Sequence, residues 1–299
     1  MIQGHKNPSF NYRGIFFGPS LLNFNCPVKA KRYFCAAMKD SNLSNISIGI
    51  VGCGWLGSRL AKKWADQNRL YTTTTSLHKI EALQSHGFNP TLFNFSGGEE
   101  TSAKPSRWSA TRMLDVLIVT AAVSSRKENS RELIENRIAR LHEFIGPFEG
   151  QMFFMDSTSV YPDVLKEFKE EDLPLEQVYP EKLFKQLYPQ LNILRLGGLM
   201  GDDRQLSKYK VSDIESPVNH IHYKDIIGVI ERMIERNSDS KVYNLVAPQH
   251  PSKRAVISKQ KNEHCSDEVI AKGRLISSDL IREELEYDFL YPDPRLFHL

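Results

Sequence analysis

Apolar and polar positions alternate regularly from Ile46 onward and irregularly before it. Short apolar runs of strand length lie at Ile46–Val51, Leu70–Thr74, Thr91–Phe95, Val116–Ala122, Met152–Asp156, Asn192–Leu196 and Lys241–Val246. Between the fourth and fifth runs, Leu133, Ile134, Ile138, Leu141 and Ile145 recur at helical spacing and predict a helix over Lys127–Ile145. A second helix is predicted over Lys224–Arg236, with Ile226, Ile227, Ile230, Met233 and Ile234 on its buried side. Strands alternating with helices in this way predict a doubly wound α/β fold, a parallel sheet with crossover helices on both faces. No internal repeat or low-complexity segment interrupts the pattern.

The first strand runs into Gly52-Cys53-Gly54-Trp55-Leu56-Gly57, a G-x-G-x-x-G turn that opens a helix. Each glycine has a separate reason in such a turn. The first permits the tight bend, the second lets a pyrophosphate approach the backbone, and the third lets helix and strand pack closely. The helix then presents free N–H groups and the positive end of its dipole to the phosphates. A Rossmann-type dinucleotide site is therefore expected, lined also by Thr120, Ala121 and Ala122 after the fourth strand.

The second strand discriminates between nicotinamide cofactors, because an acid at its end accepts hydrogen bonds from the ribose 2′-OH of NAD. Here it ends Thr72-Thr73-Thr74-Thr75-Ser76-Leu77-His78-Lys79, without an acid. Thr73, Thr74, Ser76 and Lys79 suit a 2′-phosphate, so NADP is expected over NAD. Strand propensity alone also accounts for the threonines, with Ser76 capping the next helix.

After the fifth strand comes Asp156-Ser157-Thr158-Ser159-Val160-Tyr161-Pro162, and later Ile193–Gly201, His220–Ile226 and Tyr243–Pro251. With the glycine turn, these segments resemble the atypical extended short-chain dehydrogenases/reductases, the epimerase/dehydratase-like group, and within them the bacterial YeeZ-type proteins. The likeness extends over residues 46–299. It implies hydride transfer between NADP and a small hydroxyl or carbonyl substrate, nucleotide-sugar-like in that family, and a frequent homodimer. It also implies that Ser157 hydrogen-bonds the reacting substrate oxygen, although a serine at a strand end can equally satisfy backbone.

The same family uses a Tyr-x-x-x-Lys helix, in which lysine lowers the tyrosine pKa for proton transfer. None of the 11 tyrosines has Lys four residues on. The nearest substitute is Tyr179 with Lys182, one residue short, which rotates the lysine by roughly 100° about a helix axis. Pro180 suits the first helical position, leaving Tyr179 as a non-helical flank and Lys182 as a surface residue. Tyr179 and Lys182 are thus catalytic candidates only by default, and a silent NADP-binding regulator or sensor is the alternative function. His220 and His222 alternate on a short strand without a third ligand, so no metal is expected. Asp225 is read as the cap of the following helix, and Glu170-Glu171-Asp172 as a solvated loop.

Composition narrows the class without changing the fold. The chain has 299 residues, is 40% apolar and 25% charged, and carries a net charge of +3. All of that excess comes from six basic residues in the acid-free stretch 1–39, which leaves the remainder net negative. A nucleic-acid-binding body would carry the positive charge itself, so no nucleic-acid partner is expected. No apolar run approaches the roughly 18–20 residues of a membrane span. Cys26, Cys35, Cys53 and Cys265 form no metal-ligand spacing and fit a reducing cytoplasm. The expected organisation is a leader over residues 1–45, a dinucleotide-binding domain over 46–175, and over 176–299 the remaining strands interleaved with a small C-terminal substrate-binding part. The leader is read as an upstream extension of the gene model with Met38 as alternative start, or else as an organelle transit peptide.

Overall fold

In the computed structural model, residues 43–95, 106–124, 130–265 and 273–299 are described. The expectations on the leader, Met38, Cys26 and Cys35 lie outside them. In chain order the strands are β1 (Ser47–Val51), β2 (Arg69–Thr74), β3 (Asn89–Leu92), β4 (Val116–Val119), β5 (Gln151–Ser157), β6 (Glu167–Phe168), β7 (Asn192–Leu196), β8 (Gly198–Met200), β9 (His220–His222), β10 (Val242–Leu245) and β11 (Leu275–Ile276). The helices are α1 (Trp55–Trp64), α2 (Ile80–Ser85), α3 (Arg131–Ile145), α4 (Tyr179–Leu187), α5 (Tyr223–Glu235), α6 (Lys253–Gln260) and α7 (Asp279–Leu285).

Seven strands form one sheet in the order β10-β7-β5-β4-β1-β2-β3, and every pairing in it is parallel. The fold is Rossmann-type. Its sheet is buried on both sides because successive strand residues feed opposite cores. Ile48, Ile118, Phe153 and Met155 pack with Leu56, Leu60 and Trp64 of α1 and with Ile226, Ile230 and Met233 of α5. Leu117, Val119, Met152 and Phe154 pack instead with Ile134, Ile138 and Leu141 of α3 and Phe184 of α4. The strand order reverses between β1 and β4, which opens a crevice at their carboxyl ends. Two further parallel pairs, β8 with β9 and β6 with β11, lie beyond the sheet.

Three boundaries differ from the sequence pattern for identifiable reasons. Strand β3 begins at Asn89 and ends at Leu92, before Phe93 and Phe95. Those two rings are buried for another purpose: Phe93 stacks on Phe144 at 3.7 Å between centroids. Pro90 is tolerated there because β3 is an edge strand. Strand β4 ends at Val119, since Thr120 turns its hydroxyl onto the carbonyl of Gly52 at 2.5 Å. Tyr179 is the first residue of α4, with Val178 as its N-cap, rather than a flank outside it.

Asp225 does not cap α5. The N-cap is His222, whose Nδ1 accepts from the amide of Lys224. Asp225 is fully buried inside the helix, where it accepts from the Tyr287 hydroxyl and the amides of Leu290 and Tyr291, tying the C-terminal segment to α5. Glu170, likewise, is not wholly solvated, because its Oε1 accepts from the amide of Asn244 at 2.6 Å.

Candidate functional site: a cleft at the glycine turn

The turn after β1 folds as its glycines require. Gly52 has φ +100°, a region open to glycine and strained for other residues. Its amide donates to Thr73 Oγ1 at 2.9 Å and the amide of Cys53 to the Thr73 carbonyl at 2.7 Å. A Cβ at Gly57 would lie under 3.0 Å from the Gly52 carbonyl oxygen, so α1 crosses β1 at a distance only glycine allows. A Cβ at Gly54 would meet nothing within 4 Å, so this face of the turn is open. The first turn of α1 holds no acid, and its leading amides have no carbonyl one turn earlier to bond.

A cavity of about 510 Å³ extends from this turn. Gly52, Gly54, Trp55, Leu56, Gly57, Thr120, Ala122 and Ser157 line it, together with Leu196, Gly197 and Arg204. Ser157 is the last residue of β5, and its Oγ accepts from the amide of Ser159 at 3.1 Å. Beyond it a second cavity of about 510 Å³ shares Ser124, Ser157, Ser159 and Gly197 with the first, and adds Asn219, His220, Lys253 and Arg274. The volume and polar lining of this second space suit a small polar molecule.

The other candidates are divided. Thr73 and Thr74 are buried, and their hydroxyls serve the backbone: Thr73 braces Gly52, and Thr74 Oγ1 accepts from the amide of Ser76. Neither is turned outward toward a phosphate, whereas Ser76 is half-buried and Lys79 exposed. Ser76 sits at the N-cap of a short turn but makes no side-chain cap bond. Ala121 packs under the Gly52 backbone.

Tyr179 and Lys182 correct the sequence reading, because the fold does not bring them to the cleft. The Tyr179 hydroxyl bonds Glu135 of α3, and the Arg131 guanidinium covers its ring. That hydrogen bond to a carboxylate raises the tyrosine pKa, the reverse of what proton transfer near neutrality needs. Lys182 is exposed on α4. Tyr179 is half-buried against the core beside α3, and only Lys182 faces outward.

Sequence reasoning missed a buried polar network beneath Ser157. Arg195 stands opposite Asp156 in the β5–β7 register and forks onto Glu181 of α4 with bonds of 2.8 and 2.7 Å. Both partners are inaccessible to solvent. Arg195 also donates to the Tyr161 hydroxyl at 2.7 Å, which donates in turn to Asn244 Oδ1 at 2.9 Å. Asp156 lies against the Glu181 carboxyl in this buried space, and burial and then Glu181 push its pKa well above its usual range. The only signal in the sequence was a lone arginine inside the apolar strand Asn192–Leu196.

His220 and His222 lie on β9, and among the described residues no group of three or more His, Cys, Asp and Glu is arranged to hold a metal ion. Burial lowers both to about 4, helped by Lys253 at His220 and chiefly by Lys224 at His222. Each unfolded histidine takes up a proton near its ordinary 6.5 that the folded one refuses until about 4. Stability from these histidines is therefore complete above 6.5 and lost as pH falls toward 4, at about 1.4 kcal/mol per unit for each. Asp156, Glu170 and Asp225, all raised, act in the opposite sense, so the effect is read by difference. His222→Asn, which keeps an N-cap acceptor, should weaken the fold at pH 8 and flatten its loss between pH 6.5 and 4.5. Urea midpoints of the two proteins across that range test it, and parallel curves would refute it.

Comparison with known proteins bears on the fold. No family model matches the chain. Protein YeeZ of Escherichia coli (strain K12) is 25% identical over 279 residues, spanning 84% of this chain and 98% of YeeZ. The chain is thus similar to YeeZ. A UDP-glucuronic acid 4-epimerase from Bacillus cereus in complex with NAD superposes with TM-score 0.63 at 14% identity, covering 84% of this chain and 95% of that one. The human epimerase family protein SDR39U1 with NADPH gives TM-score 0.57 at 12% identity, covering 84% and 97%. These two likenesses are of fold, and the likeness to YeeZ spans most of both chains. Among the described residues no helix is long and apolar enough to cross a membrane.

Proposed function

We propose that the cleft holds NADP and that the chain moves hydride between it and a small hydroxyl or carbonyl compound seated beside Ser157. The observation that carries this reading is the glycine turn itself: braced by Thr73, open at Gly54 and closed against β1 at Gly57. When bound, the nicotinamide supplies or accepts the hydride. The first-turn amides of α1 would hold the diphosphate, and Ser157, oriented by the Ser159 amide, would hydrogen-bond the substrate oxygen. Burial pushes the Cys53 thiol up to about 11 against the opposing charges of Lys79 and Lys62, so two cations stand near the turn. That supports a 2′-phosphate; the NAD held by one protein of this fold and the NADPH held by another support a nicotinamide dinucleotide of either kind.

The position of Tyr179 and Lys182 outside the cleft favours a second reading, a protein that binds NADP without turning it over. Titration of the full chain with NADPH and NADH, following tryptophan and cofactor fluorescence, tests the binding. NADPH should bind at least tenfold tighter, about 1.4 kcal/mol, and Lys79→Glu should erase that preference while leaving NADH affinity unchanged. Equal affinities in the wild type would overturn the NADP assignment, and binding of neither would overturn the function. Loss of NADPH absorbance with any of a panel of small carbonyl compounds separates enzyme from silent binder.

A further inference from the structure

We infer that Arg204 is the side-chain cation that holds the dinucleotide diphosphate, positioned by its stack on Trp55; this rests on the dinucleotide reading above. Trp55 opens α1 inside the glycine turn, and two guanidiniums lie over its ring, Arg59 at 3.8 Å and Arg204 at 4.2 Å from the centroid. Two such groups cannot share one face at that distance, so they occupy opposite faces of the indole.

Their charges are used differently. Arg59 is neutralised, with Nε on Asp202 and an Nη on Asp203, both at 3.0 Å. Asp203 also accepts from the indole Nε1 at 3.1 Å, and Asp202 from the Tyr223 hydroxyl at 3.1 Å. The Gly201–Arg204 turn is closed by two reciprocal backbone bonds of 3.1 and 2.9 Å, so these contacts fix it against the start of α1. Arg204, next in the chain, has a half-buried guanidinium with no hydrogen bond or ion pair to the described residues. It faces the cavity lined by Gly54 and Gly57.

A planar cation already oriented by an aromatic face loses little freedom when a phosphate arrives, and its forked donors match two phosphate oxygens. The amides of α1 approach the diphosphate from one side, and Arg204 would neutralise it from the other. Asp202 and Asp203 keep Arg59 engaged, so of the two guanidiniums Arg204 is the one whose donors are left to meet a phosphate.

The test compares wild type with Arg204→Gln and Arg204→Lys, using ADP-ribose, NADPH and adenosine 2′-phosphate as probes. Arg204→Gln should weaken ADP-ribose and NADPH at least tenfold, leave adenosine 2′-phosphate unchanged, and make ADP-ribose binding less sensitive to salt. Arg204→Lys, which keeps the charge, should recover part of the loss. Unchanged ADP-ribose affinity in Arg204→Gln would overturn the role of Arg204 and leave the dinucleotide reading standing. Equal weakening of all three probes would mean a distorted cleft and would also overturn it. Failure of the wild type to bind any probe would remove both readings together.

Discussion

Replacing Arg195 with methionine should destabilise the protein by about 3–5 kcal/mol, the usual penalty for leaving one member of a buried ion pair without its partner. The expectation is specific to the environment of this residue. Both Arg195 and Glu181 are completely buried, Asp156 lies beside them, and the Tyr161 hydroxyl accepts from Arg195 and donates to Asn244. Removing the guanidinium leaves two carboxyls facing each other without a counter-charge, and water cannot enter to solvate them. The midpoint of thermal unfolding should fall by roughly 10 °C on the scaling for domains of this size. Replacing Glu181 with leucine at the same time should return at least half of the loss, because the uncompensated charge is then absent. Chemical denaturation of the single and double variants measures this, and a loss under 1 kcal/mol in Arg195→Met would show that the network is not a stability element.

Gly57→Ala should reduce dinucleotide affinity at least about a hundredfold, or some 2.7 kcal/mol. The added methyl meets the carbonyl of Gly52 and also Ile50 Cγ2 at 3.2 Å. The first of these is backbone and cannot rotate away. Helix α1 must move outward, which displaces its amides from the diphosphate and separates Gly52 from Thr73. Overpacking of this kind also weakens folding by about 1–3 kcal/mol. Gly54→Ala is the control for stability, because its Cβ enters open space. It should fold like the wild type and lose affinity only by filling the approach to the ligand. Undiminished binding by Gly57→Ala would refute the role given to the turn.

Much of the fold was legible because a parallel sheet covered on both faces leaves continuous apolar runs: the run at Asn192–Leu196 became strand β7, and the run at Val116–Ala122 became β4 as far as Val119. The glycine turn was legible for a different reason: its spacing answers to local backbone geometry. Phe93 and Phe95 illustrate where periodicity fails, since alternation reports burial, and these rings are buried by stacking rather than by strand pairing. Arg204 and Lys253 were illegible, as each reaches a cavity only when segments distant in sequence come together. Thr73 was read as a ligand contact because residue type says nothing of the direction in which a hydroxyl points. In the folded chain it points inward.

The position of β10 at the border of the sheet has a consequence for synthesis. Among the described residues its only neighbour in that sheet is β7, and the 45 residues between Leu196 and Val242 separate the two, a few seconds of elongation at about 5–20 residues per second. During that interval a nascent chain carries β7 with an unpaired edge and Arg195 already committed to the interior. The stretch from Gly197 to Lys241 is thus translated while the ribosome-bound intermediate is most open to misassociation, and chaperone protection would matter most in that interval.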